Sequence, residues 1–201
     1  MDIPVTRLSD LGAPRRGAFA LTFDDGPEEP WTTAVLDCLE ALGLPATFFV
    51  LGSKVAGHER TLRRMVELGC GIEVHGWEHI PMTQQEPAQL AADLDRTRQV
   101  IGDATGRWPR FVRPPYGAAS PAVLESIQHN GMTPAFWSAH GWDWNQPGVD
   151  AIVSDVSQGL RRDAVVLLHD GGGDRAQTVA AIGPIASLAA TRCLRAVRLG
   201  D

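Results

Sequence analysis

Residues 18–27 read AFALTFDDGP, an apolar run that ends in two adjacent carboxylates and a Gly-Pro pair. A short apolar run rich in aromatic residues is typical of a buried strand, and Gly-Pro indicates a turn directly after it. Similar runs follow along the chain, separated by segments with helical periodicity. This alternation is typical of βα units arranged around a mostly parallel sheet.

The segments that carry this alternation can be placed along the whole chain. We predict strands at residues 18–23, 46–50, 71–74, 111–113, 133–137, 165–168 and 194–199. Helical spacing is found in two intervening sets, Trp31, Val35, Leu36, Leu39 and Leu42, and Leu90, Leu94, Thr97 and Ile101. Ser120 before Pro121 predicts the start of another helix, and Gly69 and Gly131 predict helix ends.

The expected architecture is an α/β fold, a single-domain distorted (β/α) barrel with about seven parallel strands. Residues 1–201 show no internal repeat, low-complexity tract or linker that would separate two domains. A chain of 201 residues is long enough to bury one core. Catalytic groups of such barrels lie at the C-terminal ends of the strands, so polar residues that follow the apolar runs are the candidates.

The composition limits the classes of partner. The formal net charge of −6 argues against a nucleic-acid-binding or membrane-surface protein, since both need an excess of basic residues. Cys38, Cys70 and Cys193 are predicted to stay reduced, because an odd and scattered set does not form a disulfide framework. The N-terminal residues carry no apolar stretch of signal-peptide length, which predicts a cytoplasmic protein, or a secreted one if a leader has been removed.

Two segments predict a metal site. Asp24 and Asp25 leave the first strand in different directions, so one can bind a metal while the other faces a metal-bound water. His75 and His79, in HGWEH, are spaced so that both imidazoles reach one side. An Asp from another strand end completes a His₂-carboxylate set with one open position, as in catalytic zinc. An acidic turn and two surface histidines are the alternatives for these segments in isolation.

Three further segments place polar groups at strand ends. Arg113, in RPPYG, can fix a carboxylate by a two-pronged hydrogen bond, or it belongs to a rigid exposed loop. The segment WSAHGWDW at residues 137–144 is typical of sugar-binding surfaces and of cores, and at least one of its tryptophans is expected to be core only. His169, at the end of VVLLH, can act as a general acid or be structural.

In this order, the motifs TFDDGP, HGWEH, RPPYG, the Trp-rich DW segment and LLHD resemble those of the polysaccharide deacetylase family, the NodB-homology proteins of carbohydrate esterase family four. The resemblance spans residues 21–170. It implies a metal held by Asp25, His75 and His79, usually zinc, with cobalt or another divalent ion as the alternative. The implied enzyme is a zinc-dependent deacetylase that removes an N-acetyl group from an N-acetylglucosamine-containing saccharide or amino-sugar metabolite and releases acetate.

The resemblance also implies the catalytic roles of individual residues. Asp24 would be the catalytic base that deprotonates the attacking water, and Arg113 would hold it in place. His169 would be the acid that lets the amine leave, and Asp143 would orient it. Neither Arg113 nor Asp143 would touch the metal.

Substrate contacts are implied in the same way. The backbone N–H of Tyr116 would stabilise the negative charge that develops on the carbonyl oxygen. Leu167 and either Trp142 or Trp144 would line the pocket for the acetyl methyl and the sugar face. An acetylated saccharide is therefore the expected partner, and the sequence leaves the oligomeric state open.

Two positions depart from the family pattern. Gly76 stands where many members have Ser or Thr, and this form resembles members that act on cyclic ureides and imides. His140 stands where related enzymes often have Asp, and it either changes substrate contacts or is tolerated on a loop. The Gly76 form thus favours a cyclic amide hydrolase as one alternative function. An O-acetyl sugar esterase and, less favoured, a non-catalytic carbohydrate-binding module are the others.

Overall fold

The described part of the chain folds as an α/β protein. A computed structural model describes residues 4–12 and 17–201. Within these residues lie eight strands, β1 (Ala18–Asp24), β2 (Thr47–Val50), β3 (Gly71–Val74), β4 (Phe111–Val112), β5 (Thr133–Pro134), β6 (Ala139–His140), β7 (Val165–His169) and β8 (Arg195–Val197). The α-helices are α1 (Trp31–Leu42), α2 (Glu59–Glu67), α3 (Pro87–Thr105), α4 (Pro121–His129), α5 (Val149–Gly159) and α6 (Ala176–Thr191).

The strands form one sheet in the order β5-β4-β3-β2-β1-β7-β6, and β8 pairs beside the first residues of β1. Every ladder in this sheet is parallel. The segment before β1 links the two halves of the sheet, because Val5 pairs with Ala135 after β5 and Arg7 pairs with Ala164 before β7. The sheet curls in this way into the predicted distorted barrel.

Alternation along the strands separates a helix-facing side from an inner side. On β1, Phe19 and Phe23 pack into the large cluster shared with the helices, whereas Ala20 packs into a smaller cluster inside the barrel. Thr22 and Asp24 are on the same side as Ala20, because successive side chains of a strand point to opposite faces. The inner face of β1 is therefore apolar near its N-terminal end and polar at its C-terminal end.

The helix predictions hold with one exception. The four predicted residues of α3 are all buried, and Ser120 caps α4 by accepting a hydrogen bond from the Val123 N–H. Leu42 was expected on the buried stripe of α1, but it is 45% exposed. Leu42 is the last residue of α1, directly before Gly43 in the left-handed conformation, and at this helix end its side chain no longer packs on the core.

The strand predictions need two corrections. β5 ends at Pro134, so the strand predicted at residues 133–137 is too long, and the two-residue strand β6 is not among the predicted strands. After β5, Ala135 donates its N–H to β4, Phe136 donates to the segment before β1, and Ser138 donates to β7. An apolar run does not reveal such a change of partner.

Neither disulfides nor membrane spans shape the described part of the fold. The three cysteines are free thiols, as predicted. Burial raises the pKa of the Cys70 thiol, which disfavours the reactive thiolate. Among the described residues, no helix combines the length and apolarity needed to cross a bilayer.

Candidate metal and catalytic site

A cavity of about 790 Å³ opens at the C-terminal ends of the strands, where barrel enzymes carry their chemistry. It is bordered by residues that follow β1, β3 and β6, by the end of β7, and by the turn Pro115–Gly117 after β4. All predicted metal-binding and substrate-binding residues border this cavity, together with Asp24 and His169. Arg113 and Asp143 are buried behind it, as expected for groups that act through a neighbour.

The three predicted metal ligands come together at this edge of the sheet. His75 Nε2 lies 3.3 Å from Asp25 Oδ1, and His79 Nε2 lies 3.2 Å from the same oxygen. One ligand atom from each residue lies within 4.8 Å of the other two. His75 Nδ1 lies 2.8 Å from the Arg113 carbonyl oxygen, which assigns the ring hydrogen to Nδ1 and leaves the Nε2 lone pair for a metal.

The surroundings of Asp25 suit a bound cation. Its Oδ1 is buried and has no hydrogen-bond partner among the described residues, a state that is costly unless a cation compensates it. Burial acts to raise the pKa of Asp25, but nearby His75, His169 and His79 outweigh burial and lower it. Burial also lowers the pKa of His79, which favours the neutral imidazole. Imidazole nitrogens and an ionised carboxylate are the donors typical of catalytic zinc sites.

Asp24 is held beside these ligands by a buried arginine. Arg113 has no exposed surface, and its Nη1 donates to Asp24 Oδ1 at 2.7 Å. The predicted two-pronged bond is a single one, because Nη2 donates to the Phe136 carbonyl at 2.9 Å. Burial lowers the pKa of Arg113 against the opposing effect of Asp24. Asp24 Oδ2 lies 3.8 Å from His75 Nε2 and is the oxygen that Arg113 leaves available.

His169 ends β7 and pairs with a buried carboxylate. Its Nδ1 lies 2.9 Å from Asp143 Oδ1, and its backbone N–H donates to Asp143 Oδ2 at 2.9 Å. Thr178 Oγ1 donates to the same Oδ2 at 2.8 Å, so three bonds fix this carboxylate. Burial lowers the pKa of His169, but Asp143, with Asp24 and Asp25, outweighs burial and raises it. The imidazole therefore keeps its proton to higher pH than an exposed histidine.

Aromatic rings form one wall of the cavity. The ring centre of Trp144 lies 5.1 Å from that of His169 and 4.9 Å from that of Trp142, which is 46% exposed. His140 packs edge-on against Trp142, with ring centres 4.3 Å apart. All three tryptophans of residues 137–144 border the cavity, so the expectation that one is core only is wrong. His140 is part of this wall and contacts the rings rather than the metal ligands.

Two further predicted substrate residues border the same cavity. Tyr116 lies in the Pro115–Gly117 turn with φ of 60°, and its ring centre lies 4.3 Å from that of His79. Leu167 precedes His169 by two positions on β7 and therefore points to the same inner face. Residues from distant parts of the chain, each at or after a strand end, thus meet at one site.

Lys54, the only lysine of the chain, is a site residue that the sequence analysis missed. Its Nζ donates to the Asp25 carbonyl oxygen at 2.9 Å and to Glu28 Oε2 at 2.5 Å. The Gly172 N–H donates to the same Glu28 oxygen at 3.1 Å. Asp25 has φ of 78°, which non-glycine residues rarely adopt, and Lys54 helps to hold it there. Lys54 comes shortly after β2, the same kind of strand-end position as the predicted site residues.

Arg175 is a second missed residue. It borders the cavity yet is only 3% exposed. Its Nε donates to the Gly171 carbonyl at 2.7 Å, and its Nη2 donates to the Gly172 carbonyl at 2.8 Å. These bonds fix the glycine-rich loop that follows His169 and packs against Asp25. In the sequence, Arg175 directly follows GGGD, so its position beside a glycine-rich loop after β7 could be recognised.

The fold and the site together define an α/β barrel protein with a candidate Asp-His-His metal centre at the C-terminal ends of its strands. The sequence pattern that describes polysaccharide deacetylases matches residues 12–135. The chain belongs to the polysaccharide deacetylase family, which confirms the family recognised from its motifs.

Named relatives in this family are sugar deacetylases. The chain is 41% identical over 152 residues to a chitooligosaccharide deacetylase of Bradyrhizobium sp., covering 75% of this chain and 69% of the relative. It is 37% identical over 151 residues to the peptidoglycan-N-acetylglucosamine deacetylase PgdA of Listeria monocytogenes, covering 75% of this chain but 32% of that protein. A family 4 carbohydrate esterase from Streptomyces lividans in complex with acetate is 36% identical, with a TM-score of 0.84 over 92% of this chain and 93% of that one.

Proposed function

We propose that the protein hydrolyses the N-acetyl group of an N-acetylglucosamine-containing saccharide or amino-sugar metabolite and releases acetate. The observation that carries this proposal is the convergence of Asp25, His75 and His79 beside Asp24 and His169 in one cavity. Family membership and the deacetylase names of the relatives support the same reaction class.

The proposed cofactor is Zn²⁺, held by Asp25, His75 and His79, with Co²⁺ or another divalent ion as the alternative. The bound cation supplies Lewis-acid activation of a water molecule and of the acetyl carbonyl. Asp25 contributes the negative charge of the set. The hydrogen bond from His75 Nδ1 to the Arg113 carbonyl holds that imidazole in the direction that ligation requires.

Asp24 is the proposed general base. Arg113 Nη1 occupies its Oδ1, so Oδ2 is the oxygen that takes the proton as the water oxygen attacks the acetyl carbon. Arg113 stays protonated throughout and keeps the carboxylate pointed at the cavity. Arg113 therefore acts as a positioning residue.

His169 is the proposed general acid. Its Nδ1–H is directed to Asp143 Oδ1, so the proton on Nε2 is the one available to the cavity. Transfer of that proton to the amide nitrogen accompanies cleavage of the C–N bond, and the products are acetate and the free amine. Asp143 sets the direction of the ring and raises the pKa of His169, as a positioning residue.

The remaining cavity residues are proposed to bind the acetylated sugar. Trp142 and Trp144 offer ring faces against which the C–H face of a pyranose packs. Leu167 provides an apolar contact for the acetyl methyl group. The backbone N–H of Tyr116 is the proposed donor to the developing oxyanion.

The same machinery would also cleave an O-acetyl ester, because the attacked carbonyl group is of the same type, and this is the second candidate function. Gly76, the position that resembles cyclic-amide hydrolases, has φ of 93°, a conformation that suits glycine. An added Cβ there would lie 3.3 Å from the Glu78 carbonyl oxygen. This backbone conformation favours glycine, so Gly76 by itself does not indicate a cyclic substrate.

Hydrolysis by metal-stripped protein, with and without added Zn²⁺, tests the proposal. Acetate release reports turnover of an acetylated substrate, and appearance of the ring-opened product reports turnover of a cyclic imide. The substrates are an N-acetylated chitooligosaccharide, an O-acetylated xylooligosaccharide and a cyclic imide. We expect Zn²⁺ to restore acetate release from the first substrate. Faster turnover of the second or third would replace the N-acetyl assignment by the ester or cyclic-amide alternative.

Two histidine variants complete this experiment. His79→Ala should abolish both tight Zn²⁺ binding and turnover, whereas His129→Ala, an exposed residue at the end of α4, should change neither. Full activity of metal-stripped protein, or of His79→Ala, would exclude the metal mechanism. Zn²⁺ binding without turnover of any substrate would favour the non-catalytic binding module.

A further inference from the structure

A second cavity, of about 390 Å³, lies at the opposite end of the sheet from the candidate metal site. Gly71, the first residue of β3, borders it, whereas His75 follows the last residue of the same strand. The loop from α3 to β4 and the chain after β8 complete its walls. Its volume is within the range of small-ligand pockets, and no step of the proposed deacetylation uses it.

Positive charge is concentrated around this second cavity. Arg107, Arg110 and Arg198 all border it, although the chain as a whole carries a net charge of −6. Arg198 is paired with Asp201 at 2.6 Å, but neither Arg107 nor Arg110 lies within 4.0 Å of a carboxylate among the described residues. Arginine presents a planar set of donors that matches a carboxylate.

The one carboxylate in the wall of the second cavity is already engaged. Glu73 Oε2 accepts hydrogen bonds from the backbone N–H groups of Arg110 at 2.7 Å and Phe111 at 2.8 Å. Glu73 thereby fixes the start of β4 through backbone N–H groups. The side chains of Arg107 and Arg110 are exposed, and Arg110 Nη2 makes one long hydrogen bond, 3.4 Å, to the Gly200 carbonyl oxygen. Neither guanidinium group has its charge balanced by a carboxylate of the described residues, which favours an anionic ligand.

Trp108 adds an aromatic surface at the mouth of the second cavity. It is 54% exposed, and its indole packs over Gly102 of α3, where an added Cβ would lie 2.8 Å from the ring. One face of the ring is therefore held against the helix while much of its surface stays open to solvent. A fixed, exposed indole is a surface on which the C–H face of a sugar packs.

We propose that the second cavity binds an acidic sugar residue, a pyranose that bears a carboxylate, with its ring against Trp108 and its carboxylate held by Arg107 and Arg110. The aromatic face recognises the ring, and the two guanidinium groups without a carboxylate partner recognise the charge. Because this site lies at the far end of the barrel, it contacts glycan that the catalytic cavity does not reach.

The test uses the full chain and follows the Trp108 indole N–H signal by NMR, assigned with Trp108→Phe. The probes are D-glucuronate, neutral D-glucose, and inorganic phosphate as an anion without a ring. We expect a saturable shift with glucuronate, and binding at least about 10-fold weaker with either of the other two. Equal responses to glucuronate and glucose, equal binding of phosphate, or no response to glucuronate would each overturn the proposal.

Arginine variants locate the site. Arg107→Ala and Arg110→Ala should each weaken glucuronate binding by about 10-fold. Arg107→Lys keeps the positive charge and should weaken it less. Arg162→Ala, whose side chain is 65% exposed and which does not border the cavity, is the matched control and should bind as the unaltered chain does. Unchanged binding in both alanine variants would refute the site. The measurement does not involve acetate release, so it is independent of the proposed deacetylation.

Discussion

Asp25 and Glu73 are buried carboxyl groups toward opposite ends of the barrel, and their pKa values shift in opposite directions. At the C-terminal end, three histidines surround Asp25 and lower its pKa although the group is buried. Toward the N-terminal end, Glu73 meets two backbone N–H groups and only more distant guanidinium groups, and burial raises its pKa to about 7. The difference shows that the partners of a buried carboxyl, rather than its depth, decide its charge.

The same contrast extends to the cavities themselves. The catalytic cavity gathers carboxylate and imidazole groups that together suit a cation, whereas the second cavity gathers guanidinium groups that suit an anion. Each has one exposed tryptophan at its edge, Trp142 at one end and Trp108 at the other. The following variants test whether the two ends function independently.

The largest effect is expected at the catalytic end, from Asp24→Asn. The amide cannot take a proton, so kcat for acetate release should fall by about 10²–10⁴-fold, while Zn²⁺ affinity stays close to that of the unaltered chain. Steady-state kinetics and a Zn²⁺ competition titration measure the two quantities. Asp95→Asn, an exposed carboxylate on α3, is the matched control. A rate for Asp24→Asn equal to that of the control would remove Asp24 from the mechanism.

Asp143→Asn should lower kcat by about 10–100-fold, because it takes away the charge that orients His169. The acid must be protonated, so activity falls as pH rises through the pKa of His169, which lies above the ordinary 6.5. Loss of Asp143 lowers that pKa and should move the alkaline limb of the pH–kcat profile to lower pH. A profile with an unmoved alkaline limb would contradict this pairing.

Lys54→Met should weaken Zn²⁺ binding by about 10-fold, since it releases the carbonyl of Asp25 and the left-handed backbone that presents this ligand. Lys54→Arg keeps a hydrogen-bond donor and should lose less Zn²⁺ affinity. Competition with a chelator reports the affinity without reference to turnover. Identical affinities in all three proteins would mean that the Asp25 loop holds its conformation unaided.

The smallest effect on Zn²⁺ affinity is expected from a substitution beside the second cavity, at Glu73. Glu73→Ala leaves the N–H groups of Arg110 and Phe111 without their acceptor and should lower the free energy of unfolding by about 2 kcal/mol. Glu73→Gln retains an acceptor oxygen and should cost less. Denaturant unfolding measures both, and Zn²⁺ affinity should not change in either. A large loss of Zn²⁺ affinity would show that the two ends are coupled.

The sequence predicted much of the site because strand ends can be recognised locally. Apolar runs followed by Asp, His or Arg indicated which side chains would meet, and Asp25, His75 and His79 do converge. Lys54 and Arg175 lie after strands β2 and β7, but they were missed because only the tertiary structure shows the backbone carbonyls that they contact. β6 was missed because its two residues form a strand only by pairing with β7.

By itself, then, the sequence determined the barrel, the family and the inner-face positions that carry polar groups, since strand periodicity and motif order are properties of neighbouring residues. Only the tertiary structure decided which oxygen of Asp24 is taken by Arg113, a partner 89 residues away, and which loops close the second cavity. Such pairings depend on the order and curvature of the sheet. Those follow from the packing of the whole core, which no local segment contains.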